Sequence, residues 1–451
     1  MLIARVLIPL PLPRPYDYRV PATIKVAVGD FVRVPLGSGM RHGVIWEMAQ
    51  NDTLAAGQRK LKEISAKYDA PPLSQEMRDF VDWVAAYVMS PPGLVLAQLM
   101  RVPAALERGK PRLAYRTTGK QVERMTPARQ RVLQVLAETQ GCIGADLMRQ
   151  AGVSASVIKT LLKIGVLETY QLSNQHIFTP TQIKRTTTML SEEQTKVAHR
   201  LSDGVNNQAF GVHVLDGVTG SGKTEVYFEA IAATLRTGRT SLILVPEISL
   251  TAQFLHRFEA RFGFAPALWH SGLSAGERRR TWRAVAENQV PVLLGARSVL
   301  FLPCHNLGLI VVDEEHDGGY KQDDGVIYNA RDMAIVRARL AKCPIILSTA
   351  TPSLETFVNM RDGRYQHHQL TARYGGAQLP DIDLLDMRTT PPPKGKWLVP
   401  QMVEAVGAAV ARGEQALLFL NRRGYAPLTL CRACGYRYAC PSCDAWLVEH
   451  R

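Results

Sequence analysis

The sequence lacks any long hydrophobic run. No apolar stretch reaches the roughly 18 residues that a membrane-spanning helix needs, and no internal repeat is present. The apolar segment 1–18 is interrupted by prolines between Pro9 and Pro15 and has no basic stretch before an unbroken apolar core, so we predict no signal peptide. These absences lead us to expect a cytoplasmic protein with no membrane partner.

Acidic residues are also in short supply. The 451 residues include 40 Asp and Glu against 54 Lys and Arg, which gives a formal net charge of +14. Residues 101–190 alone hold 14 basic and 5 acidic residues, a net charge of +9. Such an imbalance favours a polyanionic partner, with nucleic acid ahead of a membrane surface. The competing interpretation of this segment is a solvated linker domain.

The first two predicted domains differ in pattern. Residues 1–105 carry short strand-like runs separated by glycines and then a helical stripe over 75–89, which predicts a small β-rich domain. Residues 106–180 predict a winged helix, because short helices are followed by a β-prone tail. In this second domain the predicted helices are 127–139, 144–151 and 154–164, and the tail is 166–172.

Residues 181–388 alternate between apolar strand-like runs and amphipathic helical stretches. This alternation predicts an α/β domain with a parallel sheet covered on both faces, so the fold class is multidomain α/β. After a proline-rich linker, residues 397–430 start a second α/β unit, with a helix at 400–412 and a strand at 416–420. Strands of the parallel sheet are predicted at 211–215, 241–245, 290–294, 309–312 and 344–347.

A glycine-rich loop lies between the strand at 211–215 and a predicted helix at 225–235. Its glycines let backbone N–H groups close around phosphate, and the helix N-terminus adds partial positive charge. Lys223 is predicted to reach the β- and γ-phosphates of ATP, and the Thr224 hydroxyl to coordinate Mg²⁺. A chance glycine-rich turn is the competing interpretation. The loop residues are Gly217, Val218, Thr219, Gly220, Ser221, Gly222, Lys223 and Thr224.

An acidic run follows the strand at 309–312. Asp313 lies where a carboxylate can hold Mg²⁺, and Glu314 is placed to polarise the attacking water. A run of Asp and Glu is more often a solvated surface, but this one follows a buried strand about 90 residues after a phosphate-binding loop. We therefore predict Lys223, Asp313 and Glu314 as the catalytic residues of an ATPase.

Four of the seven cysteines crowd into residues 431–451. They form two Cys-x-x-Cys pairs, a spacing that favours Zn²⁺ over disulfides in a cytosolic chain. One zinc could take all four thiolates, and His450 is a further candidate ligand. The predicted zinc ligands of this partial module are Cys431, Cys434, Cys440 and Cys443.

The motif spacing resembles that of superfamily 2 helicases. In that resemblance Gln194 is the adenine contact, segment 245–251 grips single-stranded DNA, and segment 348–352 couples hydrolysis to movement. Segment 317–332 is similar to the aromatic-rich loop of these enzymes, with an ordinary polar loop as the competing interpretation. Tyrosine and arginine side chains can stack on bases near a nucleic-acid channel. The DNA-binding candidates of this loop are Tyr320, Lys321 and Arg331.

Segments 11–18, 216–227, 313–317 and 419–427 resemble, more narrowly, the PriA family of primosomal helicases. The resemblance covers nearly the whole chain and implies a 3′-DNA-binding domain, a winged helix and two helicase lobes with a zinc module in the second. Its first domain captures a 3′ end, where an aromatic ring can stack on the last base and a carboxylate can accept a hydrogen bond from the hydroxyl. An ordinary strand or turn is the competing interpretation. The matching residues are Tyr16, Asp17, Tyr18, Gly37 and Lys62.

The resemblance implies an ATP-dependent 3′→5′ DNA helicase that recognises stalled or abandoned forks and initiates primosome assembly. Its implied cofactors are ATP, Mg²⁺ and Zn²⁺. Its implied partners are forked and single-stranded DNA, other primosome proteins, the replicative-helicase loading machinery and single-stranded DNA-binding protein.

Two features of the family have no counterpart within residues 397–451. In the family each cysteine pair is completed by a downstream pair, giving two zinc ions, and the second lobe supplies an arginine to the ATP site. We therefore expect the 451-residue chain alone to bind DNA and to hydrolyse ATP poorly. The alternative functions are a fork-binding protein without motor activity and a P-loop ATPase of another kind.

Overall fold

The structure, a computed structural model, divides into two compact units, Met1–Ala377 and Gln378–Arg451. No helix in the described part of the chain is both long and apolar enough to cross a membrane. The described residues are 2–50, 61–108, 112–120, 122, 124–138, 142–172, 189–246, 252–373, 381–393, 396–419, 434 and 436–441.

An antiparallel sheet of five strands opens the first unit, in the order β2-β1-β4-β3-β5. Because strand side chains alternate between two faces, Val6 and Ile45 lie in a small cluster on one face while Leu7 and Phe31 point to the other. The prediction of a β-rich N-terminal domain is confirmed. The strands are β1 (Leu2–Leu7), β2 (Tyr16–Arg19), β3 (Phe31–Leu36), β4 (Gly39–Gln50) and β5 (Ala66–Lys67).

Two helices, α1 (Gln75–Tyr87) and α2 (Pro92–Leu99), follow this sheet. The first begins after Ser74, whose side chain accepts a hydrogen bond from the backbone N–H of Met77. It was predicted to continue to Met89 but ends earlier, and Met89 has a φ of +51° that a right-handed helix does not allow.

The next segment folds as the predicted winged helix. Three helices enclose a core around Val132, Leu147 and Leu161, beside a three-stranded antiparallel sheet in the order β7-β6-β8. The central strand of this sheet was not predicted. The elements are β6 (Arg112–Thr117), α3 (Pro127–Glu138), β7 (Cys142–Ile143), α4 (Gly144–Ala151), α5 (Ala155–Lys163) and β8 (Leu167–Leu172).

A parallel sheet of seven strands forms the rest of the first unit, in the order β11-β12-β10-β13-β16-β9-β17. Ile310 and Val312 face one hydrophobic cluster while Leu309 and Val311 face another, so both faces are covered, as predicted. Strands β11 and β17, at the two edges, were not predicted. The strands are β9 (Gly211–Gly217), β10 (Thr240–Leu244), β11 (Ala267–Trp269), β12 (Val292–Gly295), β13 (Leu307–Asp313), β16 (Pro344–Thr349) and β17 (Gln366–Leu370).

Helices cover the two faces of the parallel sheet. A small hairpin of β14 (Lys321–Gln322) and β15 (Tyr328–Asn329) projects after β13. The helices are α6 (Glu192–Asn206), α7 (Lys223–Arg236), α8 (Ala252–Phe262), α9 (Ala275–Ala286), α10 (Ala330–Leu340) and α11 (Leu354–Arg361).

The N-terminal sheet and the parallel-sheet domain share one hydrophobic cluster. Trp282 of α9 lies edge-on to Phe31 of β3, with ring centroids 5.8 Å apart. Its indole nitrogen donates a hydrogen bond of 3.0 Å to the carbonyl oxygen of Leu99. Phe80 of α1 contacts Phe301 with centroids 5.5 Å apart. The first sheet is therefore packed onto the second domain and not merely tethered to it.

The second unit contains α12 (Pro400–Ala411), close to its predicted bounds, with Pro400 in the first turn. The prediction of a strand at 416–420 is wrong for residues 416–419, which form no strand and are exposed; residue 420 lies outside the described part. A strand exists only where a neighbour accepts and donates its backbone hydrogen bonds. None of the described residues of this unit pairs with 416–419 in this way.

Trp282→Ala should destabilise the first unit by about 3–5 kcal/mol, because it leaves a cavity between the two domains. It also leaves the carbonyl oxygen of Leu99 without its donor. Chemical denaturation of the full chain, followed by far-UV circular dichroism, measures this loss. Trp83→Ala is the control, because Trp83 is 37% exposed on α1. Equal effects of the two substitutions would contradict a shared core.

Candidate nucleotide site and DNA-binding residues

The glycine-rich loop lies between β9 and α7, as the sequence predicts. Gly220 and Gly222 have φ values of +83° and +80°, which favour glycine. A Cβ atom on Gly222 would lie 2.5 Å from Nε2 of Gln194, so a larger residue cannot fit there without movement. Since Gly222 is the N-cap and provides no side-chain cap, the first N–H groups of α7 remain available to an anion.

Lys223 begins α7 and is 8% exposed. Its ammonium group donates a hydrogen bond of 2.7 Å to the carbonyl oxygen of Gly217, across its own loop. Ser221 contributes a buried hydroxyl oxygen that has no hydrogen-bond partner among the described residues. A buried polar atom without a partner and a lysine folded over a glycine loop fit the binding of phosphate.

The acidic run starts at the carboxyl end of β13. Asp313 accepts a hydrogen bond of 3.2 Å from the hydroxyl of Tyr227, a fully buried residue of α7. Burial raises the pKa of Asp313. Glu314 has a φ of +48°, an uncommon value for a residue with a side chain, and its pKa is raised by burial and by the charge of Asp313. Nothing in the sequence pattern predicts the contact of Tyr227 with Asp313.

The loop, α7 and the acidic run enclose a cavity of about 400 Å³. An ammonium, a hydroxyl and two carboxylates converge on this cavity. These groups fit a nucleotide with bound Mg²⁺. Thr224 and Asp313 are the residues that would hold the metal. The lining residues are Met189, Leu190, Gln194, Thr219, Gly220, Gly222, Lys223, Thr224, Glu225, Arg257, Asp313 and Glu314.

Glu315 continues the acidic run into the protein interior, where its side chain is 0% exposed. It accepts hydrogen bonds from the backbone N–H of Ser353 (2.8 Å), the hydroxyl of Thr356 (3.0 Å) and the guanidinium of Arg331 (3.2 Å). Beside it, the His316 ring and the Thr349 hydroxyl are 2.9 Å apart. Residues 315 and 316 are thus hydrogen-bonded to the end of β16 and to the segment that follows it.

Gln194, the predicted adenine contact, also has a structural role that was not predicted. It lines the cavity but is only 4% exposed, because its amide is used within the protein. Its oxygen accepts a 2.8 Å bond from the N–H of Ser191, completing a capping box at the start of α6. Its nitrogen donates a 2.8 Å bond to the carbonyl oxygen of Ser221, which fixes the phosphate loop.

Two of the three predicted DNA contacts in the aromatic-rich loop are buried. Tyr320 is 1% exposed, and its hydroxyl donates hydrogen bonds to the carbonyl oxygens of Leu244 and Asp313. Arg331 is held by Glu315. In this structure neither residue presents the free face that a stacking ring or guanidinium needs. Contact of Tyr320 and Arg331 with DNA stays a prediction. Lys321 differs, because its side chain is exposed in the hairpin.

The predicted 3′-end residues come together at one edge of the N-terminal sheet. Lys62 donates a 3.0 Å hydrogen bond to the carbonyl oxygen of Gly37, whose φ is +61°. Tyr16 is 40% exposed on the edge strand β2. Tyr18 is buried and donates to the carbonyl oxygen of Pro35, so it supports the turn and offers no stacking face.

Asp17 lies between these two tyrosines and is only partly buried. One of its oxygens is 3.5 Å from Nε of Arg5, across the β1–β2 pair. The carboxylate therefore belongs to the same edge strand as Tyr16 and already lies beside a cation.

The zinc prediction concerns residues that the structure covers only in part. Cys434 is exposed and Cys440 half-buried, while Cys431 and Cys443 lie outside the described residues. Within the described residues, no group of three or more His, Cys, Asp or Glu side chains could hold a metal. Residues 247–251 and 421–427, which contributed to the resemblance, also lie outside that part.

Two protein families match parts of the chain. The family described as 3'DNA-binding domain (3'BD) matches residues 5–101, and the family described as DEAD/DEAH box helicase matches residues 191–360. The first range contains the predicted 3′-end residues, and the second contains the lining residues of the nucleotide cavity except Met189 and Leu190.

Curated relatives match all or most of the chain. The chain is similar to the "Replication restart protein PriA" of Rickettsia prowazekii, with 36% identity over 100% of this chain and 58% of that protein. It is 35% identical to the protein of the same name from Haemophilus influenzae, over 100% of this chain and 63% of that one. For the Bacillus subtilis protein the identity is 39%, over 68% and 38%. The chain thus spans less than two thirds of the length of these relatives.

Solved structures align over shorter stretches. RecG bound to a three-way DNA junction aligns with a TM-score of 0.35 and 19% identity, covering 50% of this chain and 28% of that one. The Pyrococcus furiosus Hef helicase domain aligns with a TM-score of 0.33 and 19% identity, covering 42% and 40%.

Glu315→Ala should cost about 3–5 kcal/mol of stability, because it leaves the guanidinium of Arg331 buried without this partner. Glu355→Ala is the matched control. Glu355 lies 3.9 Å from the same guanidinium but is 73% exposed, so its loss should cost less than about 1 kcal/mol. Thermal and denaturant unfolding of the full chain compare the two. A small effect of Glu315→Ala would show that the buried network contributes little.

Proposed function

This chain belongs to the PriA replication restart family, and we propose that it binds ATP and forked DNA as part of a 3′→5′ DNA helicase that acts at stalled or abandoned replication forks. One observation supports this most directly. The phosphate loop and the acidic run meet in one cavity, within the same compact unit as the 3′-end residues. A motor that restarts replication needs both a nucleotide site and a means of recognising a DNA end.

In the proposed mechanism, the glycine loop and the first N–H groups of α7 bind the nucleotide phosphates. Lys223 exchanges the carbonyl oxygen of Gly217 for phosphate oxygen. Thr224 and Asp313 would hold Mg²⁺, which would neutralise charge on the phosphates when bound. Tyr227 holds Asp313 in place by its hydrogen bond. Glu314, with a raised pKa, is suited to accept a proton from the attacking water.

The bonds around Glu315 and His316 suggest how the nucleotide site influences the rest of the domain. Both residues lie just after Glu314. Glu315 contacts Ser353, which follows β16, and His316 contacts Thr349 at the end of β16. A displacement of Asp313 or Glu314 during hydrolysis would therefore be passed to Thr349 and Ser353. We propose this connection as the first step between ATP hydrolysis and movement on DNA.

The 3′-end residues and the winged helix form the proposed DNA-binding part. Tyr16 is exposed enough to stack on a terminal base, and Asp17 can accept a hydrogen bond from a 3′-hydroxyl beside the charge of Arg5. Residues 101–190, which include the winged helix, carry a net charge of +9, which favours binding to DNA phosphates. Tyr18, Gly37 and Lys62 shape the edge in this proposal and do not stack.

The proposed partners follow from membership of the family. They are other primosome proteins, the replicative-helicase loading machinery and single-stranded DNA-binding protein. A zinc site at Cys431, Cys434, Cys440 and Cys443 is part of the same proposal. It is supported only by the spacing of the cysteines.

Lys223→Ala should reduce binding of ATP by at least about tenfold, because the cavity loses its phosphate-binding ammonium. Binding to forked DNA should be unchanged. Fluorescence titration with a labelled ATP analogue and gel-shift titration with a fork measure the two properties. Retained ATP binding would contradict the role of Lys223. ATP binding without any DNA-stimulated hydrolysis would favour the alternative, a fork-binding protein without motor activity.

A fork with a free 3′-hydroxyl should bind more tightly than one whose 3′ end is blocked by phosphate. Asp17→Asn should reduce this preference several-fold, because the amide replaces one acceptor oxygen by a donor. Asp79→Asn, at an exposed position of α1, should leave the preference unchanged. Fluorescence anisotropy with the two forks measures it. If free and blocked ends bind equally to the unsubstituted chain, the assignment of Tyr16 and Asp17 is overturned.

A further inference from the structure

One hydroxyl group joins the phosphate loop to the acidic run. It belongs to Tyr227 of α7, a residue that is 0% exposed. The Tyr227 hydroxyl oxygen lies 3.2 Å from Oδ2 of Asp313. The same hydroxyl is hydrogen-bonded to the side chain of Thr224, which lies one turn earlier on the helix. The two side chains that are expected to hold Mg²⁺ therefore share one buried neighbour.

The direction of these two hydrogen bonds follows from the hydrogens that each group carries. A carboxylate has none to donate, so the phenol gives its only hydrogen to Asp313. Burial and then the charge of Asp313 raise the pKa of Tyr227 well above its usual value, so the phenol keeps that hydrogen. The Thr224 hydroxyl then has to donate to the phenol oxygen, which agrees with its lowering of the same pKa. The bonds run in one line from Thr224 through Tyr227 to Asp313.

This line of hydrogen bonds suits two metal ligands. A hydroxyl binds Mg²⁺ through an oxygen lone pair, and Thr224 has its hydrogen engaged by the buried phenol, so its lone pairs stay available. The bond to Oδ2 fixes the orientation of the Asp313 carboxylate. Mg²⁺ demands a near-ideal octahedral geometry, so ligands that are already held in orientation favour its binding.

Tyr227 reaches these ligands from the protein side. Thr224 and Asp313 are among the described residues that line the nucleotide cavity, and Tyr227 is not. Its ring belongs to a hydrophobic cluster with residues of α7 and β13, such as Phe228 and Val311. The phenol therefore does not compete with an ion or a phosphate in the cavity.

We propose that Tyr227 is a positioning residue for Mg²⁺, because its hydroxyl orients Thr224 and Asp313 so that nucleotide binds more tightly with the metal than without it. The inference rests on the proposed function, since it takes the cavity to be a site for ATP with Mg²⁺. Tyr227 touches neither the metal nor a phosphate, so its contribution is confined to the metal-dependent part of nucleotide binding.

Binding of mant-AMP-PNP, a fluorescent ATP analogue, to the full chain tests the proposal. The dissociation constant is measured with Mg²⁺ and with EDTA, and their ratio is the gain in affinity due to the metal. Tyr227→Phe removes the hydroxyl and keeps the ring. It should reduce this gain by about tenfold or more, the loss typical when a partner behind a metal ligand is removed. Its affinity in EDTA should stay within about twofold of that of the unsubstituted chain.

Thr234→Val is the matched control, because it removes a buried hydroxyl from the same helix. Thr234 is 0% exposed, and its hydroxyl donates a hydrogen bond of 2.9 Å to the carbonyl oxygen of Ala230. This variant should leave both affinities unchanged. An equal loss in the two variants would show that any missing hydroxyl loosens α7, and the proposal would fail. It would also fail if Tyr227→Phe kept the full gain from Mg²⁺, or lost affinity equally with Mg²⁺ and with EDTA.

Failure of the proposed function would give a different pattern. In that case the unsubstituted chain would not bind mant-AMP-PNP, or Lys223→Ala would bind it normally, and the inference would fall with it. If the unsubstituted chain binds the nucleotide and Lys223→Ala does not, equal binding by the unsubstituted chain with Mg²⁺ and with EDTA refutes only the inference about Tyr227.

Discussion

The position of one strand, β16, sets the geometry of the nucleotide site. It pairs in parallel with β9 on one side and with β13 on the other, and these strands lead into the phosphate loop and the acidic run. Neighbouring strands lie about 4.8 Å apart, so the two motifs are held roughly 10 Å from each other by backbone hydrogen bonds. The end of β16 also provides Thr349 and, shortly after, Ser353, which contact the acidic run. The width of the cavity and its connection to the rest of the domain thus have one structural origin.

The sequence was most informative where backbone conformation determines the residue type. Gly220 and Gly222 were predictable because few other residues adopt their φ values, and Asp313 because it ends a continuous apolar strand. The helices of the winged helix followed from their periodicity. Short strands such as β6 and β17 were not predicted, because their pairing partners are distant in the chain. The strand predicted after α12 shows the converse, since the apolar run 416–419 pairs with none of the described residues and forms no strand.

Side-chain roles were less predictable because burial depends on contacts between distant segments. Tyr320 and Arg331 have the chemistry of DNA-binding residues, yet each is enclosed by the acidic run that precedes it. Gln194, which is predicted to contact the base, also holds the phosphate loop by its hydrogen bond to Ser221. Tyr227, an apparently ordinary residue of α7, contacts Asp313. In each case the residue type was informative about chemistry, but tertiary packing selected the partner.

The contact of Trp282 with Phe31 and Leu99 has a consequence for the distance between the two candidate sites. A sheet that shares its core with the neighbouring domain keeps a constant separation from it, whereas a sheet on a flexible linker does not. The edge that carries Tyr16 and the cavity that contains Lys223 therefore keep a constant distance from each other. A DNA end held at that edge would therefore stay at a constant distance from the nucleotide cavity.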